Sequence, residues 1–146
     1  MNAFDLSRPN IAAHATGLSR AAYEHALQYS NERQTFGKPL HKHQAIQFIL
    51  ADMKTSIEAS RMLTWKSAAD ADAGIRNTES AAHAKRFAAD TAMQVSTDAV
   101  QVYGGYGYSE EYPVARLMRG AKVMQIYEGS SQVQRMIIGR EITKNL

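Results

Sequence analysis

The chain has 146 residues, enough for one domain with a real core, and it carries 23 alanines against three prolines with a net charge of +3. Alanine is the best helix former and proline the worst, so this balance favours an all-α fold, while the scattered Lys and Arg weigh against nucleic-acid binding. The absence of cysteine excludes disulfides and thiolate metal sites, and no apolar run approaches the length of a membrane span.

A first helix is predicted from about Phe4 to Asn31, with Pro9 in its first turns, where a missing N–H matters least. Ile11, Ala15, Leu18, Ala22 and Ala26 recur along it at three- to four-residue spacing. Gly37-Lys38-Pro39 breaks the pattern. A second helix is expected from about Leu40 to Ala71, with the stripe Ile46, Ile49, Leu50, Met53, Ile57 and Leu63. Asn77 is placed to cap a third helix carrying Ala84, Ala88, Ala92, Val95, Ala99 and Val102 on one face. A glycine- and tyrosine-rich turn spans Gly104 to Tyr112. A short helix is predicted from Pro113 to about Met118, and a last one from Ser131 to about Thr143. Long amphipathic helices with short connections predict an antiparallel helical bundle.

The run Gln125-Ile126-Tyr127-Glu128-Gly129-Ser130-Ser131 places one carboxylate on a turn just before a helix N-terminus. Ser130 or Ser131 can cap that helix, and Ser131 with Gln134 has capping-box spacing. Such a carboxylate suits a general base facing a polarised carbonyl, although spacing alone equally fits a surface Glu in a capping loop. Gly104-Gly105-Tyr106-Gly107 lacks the last glycine of a dinucleotide fingerprint and follows a helix, so by itself it is a turn. His41 and His43 have no third ligand and no H-E-x-x-H neighbour, so no metal site is expected. Asp70-Ala71-Asp72-Ala73-Gly74 has its glycine one place early for a calcium loop and is rejected as one. No charged segment followed by an apolar one opens the chain, so no signal peptide is expected.

Four segments, in order, resemble the acyl-CoA dehydrogenase family. Phe4-Asp5-Leu6-Ser7-Arg8-Pro9 is similar to the opening of that family's C-terminal domain. Arg33-Gln34-Thr35-Phe36-Gly37-Lys38-Pro39-Leu40 resembles its R-x-x-F-G-x-x-L segment, and Gln101-Val102-Tyr103-Gly104-Gly105-Tyr106-Gly107-Tyr108 its Q-x-x-G-G-x-G-Y segment. Ile126-Tyr127-Glu128-Gly129-Ser130-Ser131 resembles its I-Y-E-G-T-S run. The nearest likeness is to the medium-chain and short-chain members. The resemblance implies one C-terminal helical domain over residues 1–146, with the family's N-terminal helical and middle β-domains absent from the stretch.

The same resemblance implies oxidation of an acyl-CoA to its trans-2-enoyl-CoA with FAD as hydride acceptor and Glu128 as the base. Ser7 occupies the position where some branches of the family carry their base instead. Asp5, Leu6, Ser7, Arg8, Tyr127, Gly129 and Arg140 are implied to border the substrate. Arg33, Thr35, Phe36, His43, Gln44, Gln101, Gly105, Ser130 and Gln132 are implied to contact FAD, with Gln101 and Gly105 serving a neighbouring subunit. Electrons pass to an electron-transfer flavoprotein in this family, and the domain forms the centre of a homotetramer. The expected compartment is the cytoplasm of a bacterium or the mitochondrial matrix of a eukaryote. Gly120 stands where the family usually has Asp, which is expected to loosen the approach to Glu128. The isolated chain is expected to be inactive. The alternative is a non-catalytic helical oligomerisation domain, and the colour of the purified protein separates the two.

Overall fold

A computed structural model describes residues 3–144 and 146. Among these, six α-helices and one two-residue ladder occur: α1 (Ala3–Glu32), β1 (Gln34–Thr35), β2 (Lys38–Pro39), α2 (Gln44–Asp72), α3 (Thr78–Tyr103), α4 (Gly105–Tyr108), α5 (Pro113–Met124) and α6 (Ser131–Thr143). A single 3-10 turn, Leu40–Lys42, leads from β2 into α2. The break predicted at Gly37 is a miniature hairpin, with Gln34 opposite Pro39 and Thr35 opposite Lys38. Phe36 and Gly37 both have positive φ, 49° and 76°. Two such residues make the mirror-image turn whose twist matches an antiparallel pair.

Successive long helices run in opposite directions, so α1 and α3 point the same way and pack side by side. At one end Asn77 and Thr78 bond Asp5; at the other, Tyr29 stacks on Tyr103 with ring centroids 4.0 Å apart. The core changes character along this pair. Near the α1 N-terminus it is nearly all alanine: Ala12, Ala15, Ala84, Ala88, Ala89, Ala92 and Ala121, with Met124. These small side chains allow close backbone approach. Toward the other end it widens to Leu50, Met53, Ile57, Val95, Val102 and Val114. Serines and threonines on the packed faces return their hydroxyls to their own helix, as Ser19 does to the Ala15 carbonyl and Thr64 to that of Ser60, each at 2.8 Å.

The predicted helical stripes are the buried faces, but one expectation at the N-termini is corrected. Pro9 lies in the early turns of α1, as expected, and there leaves the Asp5 carbonyl without its helical donor. Asn77 supplies that donor: its Nδ2 reaches the Asp5 carbonyl at 2.9 Å and the Ser67 carbonyl at 3.4 Å. Its side chain therefore does not cap α3. One buried amide links α1, α2 and α3. Asn77→Ala should lower stability by about 1 to 3 kcal/mol, because buried carbonyls lose their donor. The midpoint of thermal unfolding measures it, and an unchanged midpoint would refute the link.

The short helix predicted from Pro113 instead continues to Met124, passing through Gly120 without interruption. A Cβ at Gly120 would meet Leu18 Cδ1 at an ordinary 3.5 Å. Helices α5 and α6 then follow one direction along α3. Val114 shares one core cluster with Val102 and Ala121 the other with Ala88, Ser131 bonds Asp90, and Glu141 pairs with Arg76 just ahead of α3. Together they act as one long element interrupted midway by residues 125–130.

Candidate active site

That interruption carries Glu128. The N–H of Tyr127 still donates to the Val123 carbonyl at 3.1 Å, the last bond of helical type. Glu128 and Gly129 then both adopt positive φ, 55° and 88°. Two left-handed residues reverse the backbone, and the Ser131 N–H closes the turn on the Gln125 carbonyl at 3.0 Å. Holding a glutamate in this region costs of order 1 to 3 kcal/mol, so the surroundings must impose it. Position 129 requires glycine twice over, for its φ and because a Cβ would lie 2.6 Å from Gln134 Nε2.

Three side chains impose the turn. Lys85 of α3 donates from Nζ to the Gly129 carbonyl at 2.7 Å. Gln134 of α6 donates to the same carbonyl at 2.8 Å and to that of Glu128 at 3.4 Å. Asp90 accepts from Gln125 Nε2 and Ser131 Oγ, both at 2.8 Å. The expected capping box of Ser131 with Gln134 is therefore not formed, since both side chains are committed elsewhere. Ser130 is the cap, its Oγ accepting from the Val133 N–H at 3.3 Å.

The Glu128 carboxylate projects toward the start of α1, where Ser7 Oγ donates to its Oε2 at 2.8 Å. Ser7 thus stands beside the carboxylate. Among the described residues the N–H of Glu128 donates to no protein group, which leaves it available to an incoming carbonyl. Tyr127, half-buried, donates its hydroxyl to Met124 Sδ at 3.1 Å. Burial, and then the nearby Glu128 charge, push its phenol above the usual tyrosine value, so it stays a neutral donor.

The other residues expected at the substrate divide. Asp5 and Arg8 are buried and paired at 3.2 Å, with Thr78 Oγ1 donating to Asp5 at 2.8 Å. With Arg76, Ile137 and Arg140 they line a cleft of about 530 Å³. Arg140 is exposed and 3.6 Å from Glu141, whose carboxyl is held low by its bonds to Arg76. Leu6 points outward and is half exposed.

The residues expected to contact FAD fall into two groups. Arg33, Thr35, Gln101 and Gly105 line one cleft of about 560 Å³ at the far end of α1 and α3, with Tyr29, Tyr103 and Tyr106. Arg33 lies 5.6 Å from the Tyr106 ring centre. Phe36 stands at the hairpin tip 97% exposed, touched edge-on by His43. The His43 Nε2 lies 3.2 Å from both the carbonyl oxygen and the hydroxyl of Thr35, and Gln44 begins α2, exposed. Ser130 and Gln132 belong to a separate cleft of about 360 Å³ beside Glu128, with Asp90, Gln125 and Arg135. A forked cation, hydroxyls, an amide and an open glycine backbone fit a dinucleotide's phosphates and polar edges. An aromatic ring wholly in solvent fits a partner surface. The donors suit FAD, but only six of the nine expected residues line these two clefts, and Phe36, His43 and Gln44 line neither.

Lys85 and Asp90 were not singled out from sequence, and Gln134 was singled out only as a capping-box partner of Ser131. For Lys85 a signal existed: it sits four residues after Ala81 and three before Ala88, on the alanine face. Asp90 gave none, and the spacing of Gln134 to Ser131 pointed to a cap rather than to the turn carbonyls it holds. Among the described residues no three His, Asp or Glu side chains gather as a metal site, and no helix is long and apolar enough to cross a membrane.

A helical bundle that presents a carboxylate on a left-handed turn just ahead of a helix N-terminus has the geometry of a general base beside free backbone N–H groups. Comparison with known proteins makes this specific. The family model described as "Acyl-CoA dehydrogenase, C-terminal domain" matches residues 1–143, and the chain belongs to the acyl-CoA dehydrogenase family. It is 54% identical to the cyclohexane-1-carbonyl-CoA dehydrogenase of Geobacter metallireducens over 99% of its own length and 38% of that protein's. The structure of butyryl-CoA dehydrogenase from Megasphaera elsdenii superposes with a TM-score of 0.95 at 54% identity, covering 96% of this chain and 37% of that one. A chain from the structure of the electron transferring flavoprotein of Acidaminococcus fermentans superposes with a TM-score of 0.96 at 47% identity, covering 97% of this chain and 37% of that chain. The chain thus spans under two fifths of the length of these relatives.

Proposed function

We propose that this chain carries the catalytic base of an FAD-dependent acyl-CoA dehydrogenase, oxidising an acyl-CoA thioester to the trans-2-enoyl-CoA. The observation that carries the reading is the Glu128 carboxylate on its imposed turn, 2.8 Å from Ser7 Oγ, with its own N–H unspent. Bound FAD supplies the acceptor for the β hydrogen and its electron pair. This chain's own residues act on the α carbon and the thioester. A Glu128 carboxylate oxygen takes the α proton as the Cα–Cβ double bond forms. The Glu128 N–H donates to the thioester oxygen, where negative charge develops. Tyr127 and Gly129 border the acyl chain, and Asp5, Leu6, Ser7, Arg8 and Arg140 line the approach. The similarity to the butyryl-CoA and cyclohexane-1-carbonyl-CoA enzymes favours a short linear or alicyclic acyl group. An electron-transfer flavoprotein is the expected electron acceptor.

The test is anaerobic mixing of the complete enzyme containing this domain with short-chain and cyclohexane-1-carbonyl-CoA. The flavin band should bleach, more slowly when the α carbon carries deuterium. No bleaching with any acyl-CoA would refute the reading and favour an assembly domain.

Arg33 tests the cofactor assignment separately. It makes no ion pair among the described residues and lies open at its cleft. If it grips the flavin's pyrophosphate from a neighbouring subunit, Arg33→Ala should weaken flavin retention by about 1.5 to 3 kcal/mol and loosen the homo-oligomer. Flavin release on dilution and sedimentation velocity measure both. Unchanged retention removes Arg33 from the site.

A further inference from the structure

We propose that Lys85 is a positioning residue for the base: from beneath the turn it grips the Gly129 carbonyl jointly with Gln134 and so fixes the direction of the Glu128 carboxylate and N–H. This rests on Glu128 being the base. Lys85 is the largest fully buried side chain described, at 0% exposure, on a face otherwise lined by Ala81, Ala84, Ala88 and Ala89. A methionine would fill such a place without the cost of burying an ammonium. What lysine adds is a donor on a long stem, and its Nζ ends 2.7 Å from the Gly129 carbonyl oxygen. Gln134 Nε2 meets the same oxygen at 2.8 Å.

The two donors satisfy the carbonyl from α3 and α6 together, where the backbone between α5 and α6 has left helical bonding. The left-handed conformations of Glu128 and Gly129 are otherwise unfavourable, so releasing the carbonyl frees the turn to relax. Relaxation would move the Glu128 carboxylate away from Ser7 and from the substrate's α carbon. Nothing in this arrangement touches substrate, so Lys85 acts through the backbone.

The charged groups facing Lys85 are Asp90 on its own helix, Arg8 from α1 and Glu128 from the turn. Asp90 is already engaged by Gln125, Ser131 and Arg135 of the α5–α6 element. Burial, the largest influence, pulls the Lys85 ammonium down to about 8. At neutral pH it is mostly charged and a strong donor; as pH rises through that value it becomes an amine and a weaker one.

The experiment uses the complete flavin-loaded enzyme. Lys85→Met should lower kcat by about 10- to 100-fold through misdirection of the base, with little change in KM, flavin content or helical signal. The unmutated enzyme should lose rate as pH rises past about 8, and Lys85→Met should lack that alkaline limb. A space-filling role would leave kcat and the limb as in the unmutated enzyme, and that result overturns the proposal. Glu128→Gln is run in parallel. Turnover surviving there removes the base assignment itself, whereas loss there with an unaffected Lys85→Met removes the positioning role alone. Should Lys85→Met not fold, Lys85→Gln, whose amide is too short to reach the Gly129 carbonyl, is measured instead: a lowered kcat at unchanged KM and flavin content supports the proposal, and an unchanged kcat overturns it.

Discussion

Glu128→Gln in the complete enzyme is expected to cut the rate of α-proton abstraction by at least about 10²- to 10⁴-fold, the range in which a positioned general base contributes. The amide has nearly the shape of the carboxylate but cannot accept a proton at neutral pH. Ser7 Oγ can still donate to the amide oxygen, so the contact at 2.8 Å has a substitute. The turn itself does not depend on the carboxylate. It is held through the Gly129 and Glu128 carbonyls, by Lys85 and Gln134, and through Asp90. Folding and flavin content should therefore stay close to the unmutated protein, and only the flavin bleaching step should fail. Rapid-mixing spectroscopy at the flavin band reads the step directly. Near-normal bleaching by Glu128→Gln would show that another group takes the proton. Ser7 is no rival, since its hydroxyl is not a base of comparable strength near neutral pH.

The long helices were legible because their burial has a helical period. Ala22, Ala26, Met53, Ile57, Val95 and Ala99, picked by spacing, are the same residues that meet in the core. The turn that carries Glu128 was legible from Gly129, which marks a sharp reversal, and from the serine cap beyond it. What holds the turn was not legible. Lys85, Asp90 and Gln134 come from two helices far apart in sequence, and nothing local tells a buried lysine from a surface one except the alanines beside it. Asn77 was misread for a similar reason. Local rules give an asparagine ahead of a helix the role of cap, but Pro9, 68 positions earlier, had created a carbonyl in need of a donor. The predicted end of α5 near Met118 failed because Gly120 weakens a helix without stopping one when α1 and α3 pack beside it. The division of the cofactor residues over two clefts is likewise a property of the folded chain, since motif order says nothing of distance.

That division sets the expectation for the 146-residue chain produced by itself. It should give a helical far-ultraviolet spectrum, because the two clusters of buried side chains close the bundle without outside help. It should not hold FAD tightly. The cleft of Arg33, Thr35, Gln101 and Gly105 and that of Ser130 and Gln132 are separate, so one copy offers two partial sites rather than one whole site. The relatives have more than three fifths of their length outside the match, and the expectation is that such segments complete both sites. Without a bound acceptor for the β hydrogen, a correctly placed Glu128 can at most exchange an α proton; it cannot oxidise. Phe36 at 97% exposure, with Phe48 and Trp65 each at 59%, offers apolar surface for self-association. Circular dichroism, a flavin absorption spectrum after reconstitution with FAD, and dye reduction with short acyl-CoA substrates on one sample form the test. A colourless, helical, inactive protein is the expected result. Stoichiometric FAD with turnover on any acyl-CoA would mean that copies of this chain complete each other's sites, and the dependence on outside segments would be wrong.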